Sequence, residues 1–153
     1  MTVTLRGLGV KDADWFRPAF ADYFAEIAPG LPVPDLSEWW TDPDCEGLVI
    51  ADGASEVGFA LVELFGAGRR ELAEFTILPA HRRRGLGRAA AVAMLSARPG
   101  RWRFGVIDRP DALAFWPMVL AACPGVTGLE RTAPVTELQA MSYRFTITEG
   151  EKG

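Results

Sequence analysis

The residues best suited to chemistry stand together at Arg82-Arg83-Arg84-Gly85-Leu86-Gly87-Arg88. Four arginines surround two glycines, in a chain whose net charge is -4. An apolar, strand-like run ends at Pro79 before them, and an alanine-rich run follows. A helix N-terminus presents unpaired N–H groups and a partial positive charge. Glycine lets a bulky anion approach the backbone. The turn therefore predicts a phosphate site. Arginine suits that role, because it grips phosphate bidentately.

Such a turn needs a strand before it and a helix behind it. Glu71–Leu78 reads as that strand and Gly85–Ala97 as that helix, stopped by Pro99-Gly100. Upstream, Gly47–Ala51 and Glu56–Phe65 read as strands. Asp52-Gly53 and Gly66-Ala67-Gly68 are the hairpin turns between them. Thr2–Arg6 alternates like a short first strand. From Trp15 to Ile27 the apolar residues follow helical spacing. Pro18 fits only in a first turn, which starts that helix at Pro18 and leaves Asp12–Arg17 as a separate turn. Ala28–Pro34 is a loop, and Asp35–Trp40 one or two helical turns capped by Asp35. Downstream, Trp102–Ile107 is a strand and Asp111–Ala122 a helix. Val135–Thr148 has room for two late strands. The strand 71–78, helix, strand 102–107 crossover makes a parallel pair inside an otherwise antiparallel sheet.

The 153 residues suit one domain with a sizeable core. The acidic balance argues against nucleic-acid binding. Lysine occurs only at Lys11 and Lys152. Cys45 and Cys123 form no CxxC, and His81 is the single histidine, so neither a disulfide framework nor a metal site is expected. No signal peptide is visible, and no uncharged run reaches the roughly 20 residues of a membrane span. A cytoplasmic protein is expected. No serine lies within GxSxG, so a Ser-His-Asp triad is not expected.

Two phosphate-binding patterns compete for the turn. Gly85-Leu86-Gly87-Arg88-Ala89-Ala90 fits the dinucleotide fingerprint GxGxxA, with Asp108 after the next strand. That fingerprint places its glycines directly after the strand, whereas Pro79–Arg84 intervene here. Residues 82–87 instead match R-x-x-G-x-G, and the segment resembles the GNAT acetyltransferases. Ala73-Glu74-Phe75, Pro99-Gly100-Arg101-Trp102 and Ala112-x-x-Phe115-Trp116 extend the likeness to a bacterial subgroup of that family, over about residues 70–123. The resemblance implies an α/β (α+β) fold across 1–153. Its mixed six- or seven-stranded sheet splays between strands 71–78 and 102–107, with about four flanking helices. It implies acetyl-CoA as co-substrate. Backbone groups of Phe75, Ile77 and Leu78 would hold the pantetheine arm. Arg82 and the N–H groups of Arg83, Arg84, Gly85, Gly87 and Arg88 would hold the pyrophosphate. Family members are often homodimers.

Acetyl transfer to an amine needs a base, because the amine arrives mostly as ammonium. Glu74 is the candidate. Strand alternation puts Leu72, Glu74, Thr76 and Leu78 on one face and Glu71, Ala73, Phe75 and Ile77 on the other. A carboxylate among apolar neighbours has a raised pKa. Glu71 is the weaker alternative, and pairing of Glu74 with an arginine is the structural one. Many family members carry an Asn and, seven residues later, a Tyr that protonates the leaving thiolate. Arg109 and Trp116 stand in those places here. A thiol pKa of about 8.5 makes thiolate a tolerable leaving group. Tyr143, Tyr23 or water remain as acids, and a protein that binds acyl-CoA without turnover remains an alternative. Phe115 and Trp116 read as helix-to-sheet packing.

Residues 12–46 carry nine acidic residues against Arg17 alone. In the resembled fold this segment helps wall the acceptor site. An acidic wall favours a cationic acceptor, with Trp39-Trp40 as a ring face for it. Both features read more simply as a solvated helix surface and a core edge. A small amine, a polyamine or a peptide N-terminus fits.

Overall fold

Glycine turns fold the first half of the sheet. In this computed structural model, which describes residues 2–149, Asp52-Gly53 joins β2 (Cys45–Asp52) to β3 (Ser55–Leu64). Lys152 lies outside the described residues. Gly66-Ala67-Gly68 joins β3 to β4 (Arg69–Ile77), with both glycines at positive φ. β1 (Val3–Gly7) runs antiparallel along the other edge of β2. Arg6 on β1 forks onto Asp12 with two 3.0 Å bonds, which fastens the entry of the first helix.

The second half begins with a crossover. α3 (Leu86–Ser96) carries the chain from β4 to β5 (Gly100–Ile107), which lies parallel to β4. α4 (Pro110–Ala122) follows, then β6 (Val126–Thr132) and β7 (Gln139–Ile147). β7 inserts between β5 and β6, so the sheet order is β1-β2-β3-β4-β5-β7-β6. Among the described residues the sheet has seven strands, and every pair except β4 and β5 is antiparallel.

Each face of the sheet has its own core. α1 (Ala13–Ile27) and the short α2 (Glu38–Thr41) cover one, where Phe16, Phe20 and Trp39 pack on Val49, Phe59 and Leu61. α3 and α4 cover the other, where Met94, Leu95, Trp116 and Val119 meet Leu48, Val62, Trp102 and Phe104. Ala90 and Ala91 are fully buried, and their small side chains let α3 sit close to the strands. No described helix is long and apolar enough to cross a membrane.

Four local expectations need correction. The first helix is continuous from Ala13, and Pro18 lies inside it. Asp14, whose carbonyl loses its partner there, and Pro18 both face outward, so water can satisfy the carbonyl. Ser37, not Asp35, is the cap position of α2, although Asp35 accepts the Ser37 N–H at 2.9 Å. The late hairpin starts at Val126 rather than Val135, and Gly128 breaks the alternation of its exposed edge strand. The alternation of β4 is interrupted too. Leu61 pairs with Glu74 but Val62 with Leu72, so Ala73 is an extra residue. Leu72 therefore joins the α3/α4 core on the side of Phe75, while Ala73 and Glu74 both face α1.

Candidate active site

β4 and β5 pair only from Arg69–Arg101 to Glu71–Arg103. Beyond Glu71 the strands part, and a cavity of about 300 Å³ opens between them. Phe24 and Ile27 of α1 wall it on one side, and Thr136 and Leu138 of the β6–β7 connection on another. The Gln139 side chain lies directly across Gly105, where any Cβ would meet it. Its Oε1 accepts the Val135 N–H at 3.0 Å, which ties that connection down.

Glu74 lines this cavity from the middle of β4. Tyr23 of α1 donates its hydroxyl to Glu74 Oε1 at 3.4 Å. Burial pushes the Glu74 carboxyl up to about 7, the Tyr23 hydrogen bond lowers it, and the charge of Glu63 raises it. Among the described residues no arginine pairs with Glu74. Glu71 differs. It faces Arg103 at 3.7 Å, and the Arg103 guanidinium sits 3.8 Å from the Phe65 ring centre. The Tyr23 hydroxyl is pushed well above its ordinary value, by burial first and then by Glu74, against a backbone hydrogen bond from Phe75. Its ring is packed edge-on against Phe59, with centroids 5.5 Å apart.

The backbone of β4 divides between its two edges. Leu78 N–H donates to Val57 on β3 at 2.8 Å. Alternation then turns the groups of Phe75 and Ile77 toward the gap. The Ile77 carbonyl there accepts Arg82 Nε at 2.7 Å. The Phe75 ring belongs to the core, 5.9 Å from Phe115 and 5.4 Å from Trp116. Trp116 in turn lies 4.6 Å from Phe104. Helix-to-sheet packing accounts for both α4 aromatics.

The basic turn is built differently. A single 3-10 turn, Pro79–His81, ends the strand. Arg83 follows at φ 65° and Gly85, the cap position of α3, at φ 79°. A non-glycine residue at positive φ is uncommon, and such alternations of hand turn successive N–H groups toward one point. α3 has no side-chain cap, so the amides of its first turn are left open. Arg83, Arg84 and Arg88 are exposed. Arg84 reaches Asp52 at 3.0 Å. Arg82 is held elsewhere: it forks onto Glu26 of α1 with bonds of 2.9 and 2.8 Å. Gly87 packs rather than opens, because a Cβ there would lie 3.3 Å from Ile77 and 3.4 Å from Phe115.

Of the acidic segment, α1 walls the cavity with Phe24 and Ile27 and brings Tyr23 to Glu74, but Trp39 and Trp40 do not line it. Trp39 is buried in the α1/α2 core, and the Trp40 ring carries Arg17 at 5.1 Å. The carboxylates that line the cavity come from the strands: Glu63, Glu71 and Glu74. Burial and surrounding acids push the Cys45 thiol to about 11, which leaves it a poor nucleophile. Among the described residues no His, Cys, Asp and Glu cluster is arranged to hold a metal ion. Tyr23 was legible only as one of two tyrosines; its place beside Glu74 is a product of packing.

Known structures share this architecture. An acetyltransferase from Thermus thermophilus superposes with a TM-score of 0.71 at 24% identity, over 94% of this chain and 96% of its own. A spermidine N-acetyltransferase chimera from Vibrio cholerae gives 0.71 at 16% identity, over 96% of each chain. The PaiA N-acetyltransferase of Thermoplasma acidophilum, solved with coenzyme A, gives 0.62 at 12% identity, over 95% of this chain and 99% of its own. No curated protein matches the sequence. The model of the Acetyltransferase (GNAT) family matches residues 13–100, more than half of the chain. With the splayed parallel pair and the basic turn in place, the chain belongs to the GNAT acetyltransferase family, whose enzymes take their acyl group from acetyl-CoA.

Proposed function

We propose that this protein moves an acetyl group from acetyl-CoA directly to a primary amine, with Glu74 as general base. One observation carries the proposal: a carboxyl with a pKa of about 7, with no arginine on it, lines the cavity where β4 and β5 part. A base with a pKa near the working pH is ionised often enough to accept a proton and basic enough to keep it. Within this reading the amides of Arg83, Arg84, Gly85, Gly87 and Arg88 hold the pyrophosphate. The uncapped start of α3 and the positive φ at Arg83 and Gly85 fit an anion. The gap-facing groups of Phe75 and Ile77, beside Leu78, take the pantetheine arm. Arg82 ties the turn to α1 through Glu26. Residues 1–153 act as one domain.

The acceptor in this reading is cationic. Glu63 is pushed up by burial first and then by the charge of Glu71, so a second positive charge on the acceptor relieves that crowding. A polyamine or a basic amino acid fits better than a neutral amine.

The test is acetylation of a panel containing spermidine, lysine, benzylamine and an alanyl peptide, read as acetylated product. Product is expected, with spermidine ahead of benzylamine. The kcat should rise with pH through an apparent pKa of about 7. Activity flat from about pH 6 to 8.5 would remove Glu74 from the base role. A second reading, acyl-CoA binding without turnover, draws on Trp116, an indole packed against Phe75 and Phe104. Tight acetyl-CoA binding with no product from any amine would favour it.

A further inference from the structure

We infer that Tyr23 completes the proton path: it accepts the proton that Glu74 has taken from the amine and gives its own to the departing sulfur. The inference rests on the proposed base role of Glu74. Three observations support it. Tyr23 Oη is 3.4 Å from Glu74 Oε1, a long bond that must shorten by a few tenths of an ångström in the loaded enzyme for a proton to pass. Glu74, the residue that this hydroxyl bonds, lines the cavity where β4 and β5 part. Tyr143, the second tyrosine of the chain, is buried 5.7 Å from Phe104 on the α3/α4 side and cannot share the site.

The elements packed around Glu74 present few other proton carriers. α1 offers Tyr23 and, a turn further on, Glu26, which Arg82 holds as a carboxylate. β3 offers Glu63 and β4 offers Glu71, both acceptors when ionised. Arg103 on β5 faces Glu71. Tyr23 is thus the hydroxyl that bonds Glu74 directly.

The step balances. The N–C bond forms and the C–S bond breaks. An ammonium acceptor sheds two protons from its attacking nitrogen: one leaves to solvent, and the other goes to Glu74. The hydroxyl then turns about its C–O bond, gives its proton to the thiolate sulfur and receives the one on Glu74. Both side chains end as they began, with no external acid consumed.

Tyr23→Phe is the test, because it keeps the ring packed on Phe20 and Phe59. With acetyl-CoA and spermidine, and with benzylamine as a second acceptor, kcat should fall about a hundredfold. The KM for acetyl-CoA should stay within about twofold, as expected when an interaction made only in the transition state is lost. In the unliganded protein, ¹³C NMR of the Glu74 carboxyl should show its titration moving to higher pH, because the donor that lowers it is gone. A variant with kcat within about threefold of the parent would overturn the relay and leave the base role of Glu74 standing. So would a loss matched by an equal loss of acetyl-CoA binding and of thermal midpoint. A parent protein that acetylates neither amine would take down the base role and the relay together.

Discussion

At Glu74 the fold removes water from a charge; nine residues later, at Arg83, it leaves backbone donors without partners. The first region is a cavity in which burial lifts a carboxyl to about 7. The second is an exposed turn with positive φ at Arg83 and Gly85 and an uncapped helix behind it. Both hang on one strand. The difference separates two ways of preparing chemistry. Desolvation tunes a proton affinity and depends on distant elements, here α1 and the β6–β7 connection. Open amides prepare an anion seat and depend on a few consecutive residues.

That contrast can be broken from either side. The largest effect is expected for Glu74→Gln. Its kcat should drop about 10²–10³-fold while the dissociation constant for acetyl-CoA stays within about twofold. Measuring both on one preparation decides whether proton transfer and donor binding are separable. Next comes the joint change Arg84→Glu and Arg88→Glu. It should weaken coenzyme A binding about tenfold, and flatten the dependence of that affinity on salt. The kcat at saturating donor should hold, and a collapse of kcat would tie the two regions together.

Gly58→Ala attacks the strand itself. A methyl there would run into the Thr76 carbonyl. A cost of about 1–3 kcal/mol is expected, seen as a thermal midpoint several degrees lower. Arg82→Ala should do less. The Arg82–Glu26 pair is about one-third exposed on each side, and such pairs contribute under about 1 kcal/mol. Its midpoint should move by no more than a degree or two, with donor affinity nearly intact.

The smallest effect is a slope. Burial raises the Glu74 carboxyl from 4.5 in its unperturbed state to about 7. The folded protein therefore binds that proton more tightly than the unfolded chain does. The resulting stabilisation is complete below the unfolded pKa and is lost as pH rises through about 7. In Glu74→Gln the thermal midpoint should fall less between about pH 5 and 8 than in the parent. Equal slopes would mean that the carboxyl is better solvated than its surroundings imply.

How much of this was legible follows the same division. Local signals placed the Asp52-Gly53 and Gly66–Gly68 hairpins and the parallel crossover through α3, because turn chemistry and periodicity act over a few residues, whereas the splay of that pair came only from the family resemblance. The basic turn was visible for the same reason. The partner of Arg82 was not, since Glu26 lies 56 positions away and meets it only after α1 docks. Nor was the Tyr23–Glu74 contact, 51 positions apart. Pro18 misplaced the start of α1, because its cost depends on which way the orphaned carbonyl points. The extra residue at Ala73 was hidden because alternation counts positions and has no means of skipping one.

That extra residue makes β4 one residue longer than its pairing with β3 requires. Leu72 and Glu74 are two apart and would share a side in a regular strand, yet they face opposite cores. Delete Ala73 alone, and Leu72 and Glu74 become neighbours that a regular strand still sends to opposite sides. Delete a paired residue instead, and the side chains on one flank change sides. The Gly66–Gly68 loop obeys no such rule, since a longer loop leaves the pairing beyond it unchanged. Among relatives, insertions should gather in that loop, and a length change inside the strand should fall at the Ala73 position.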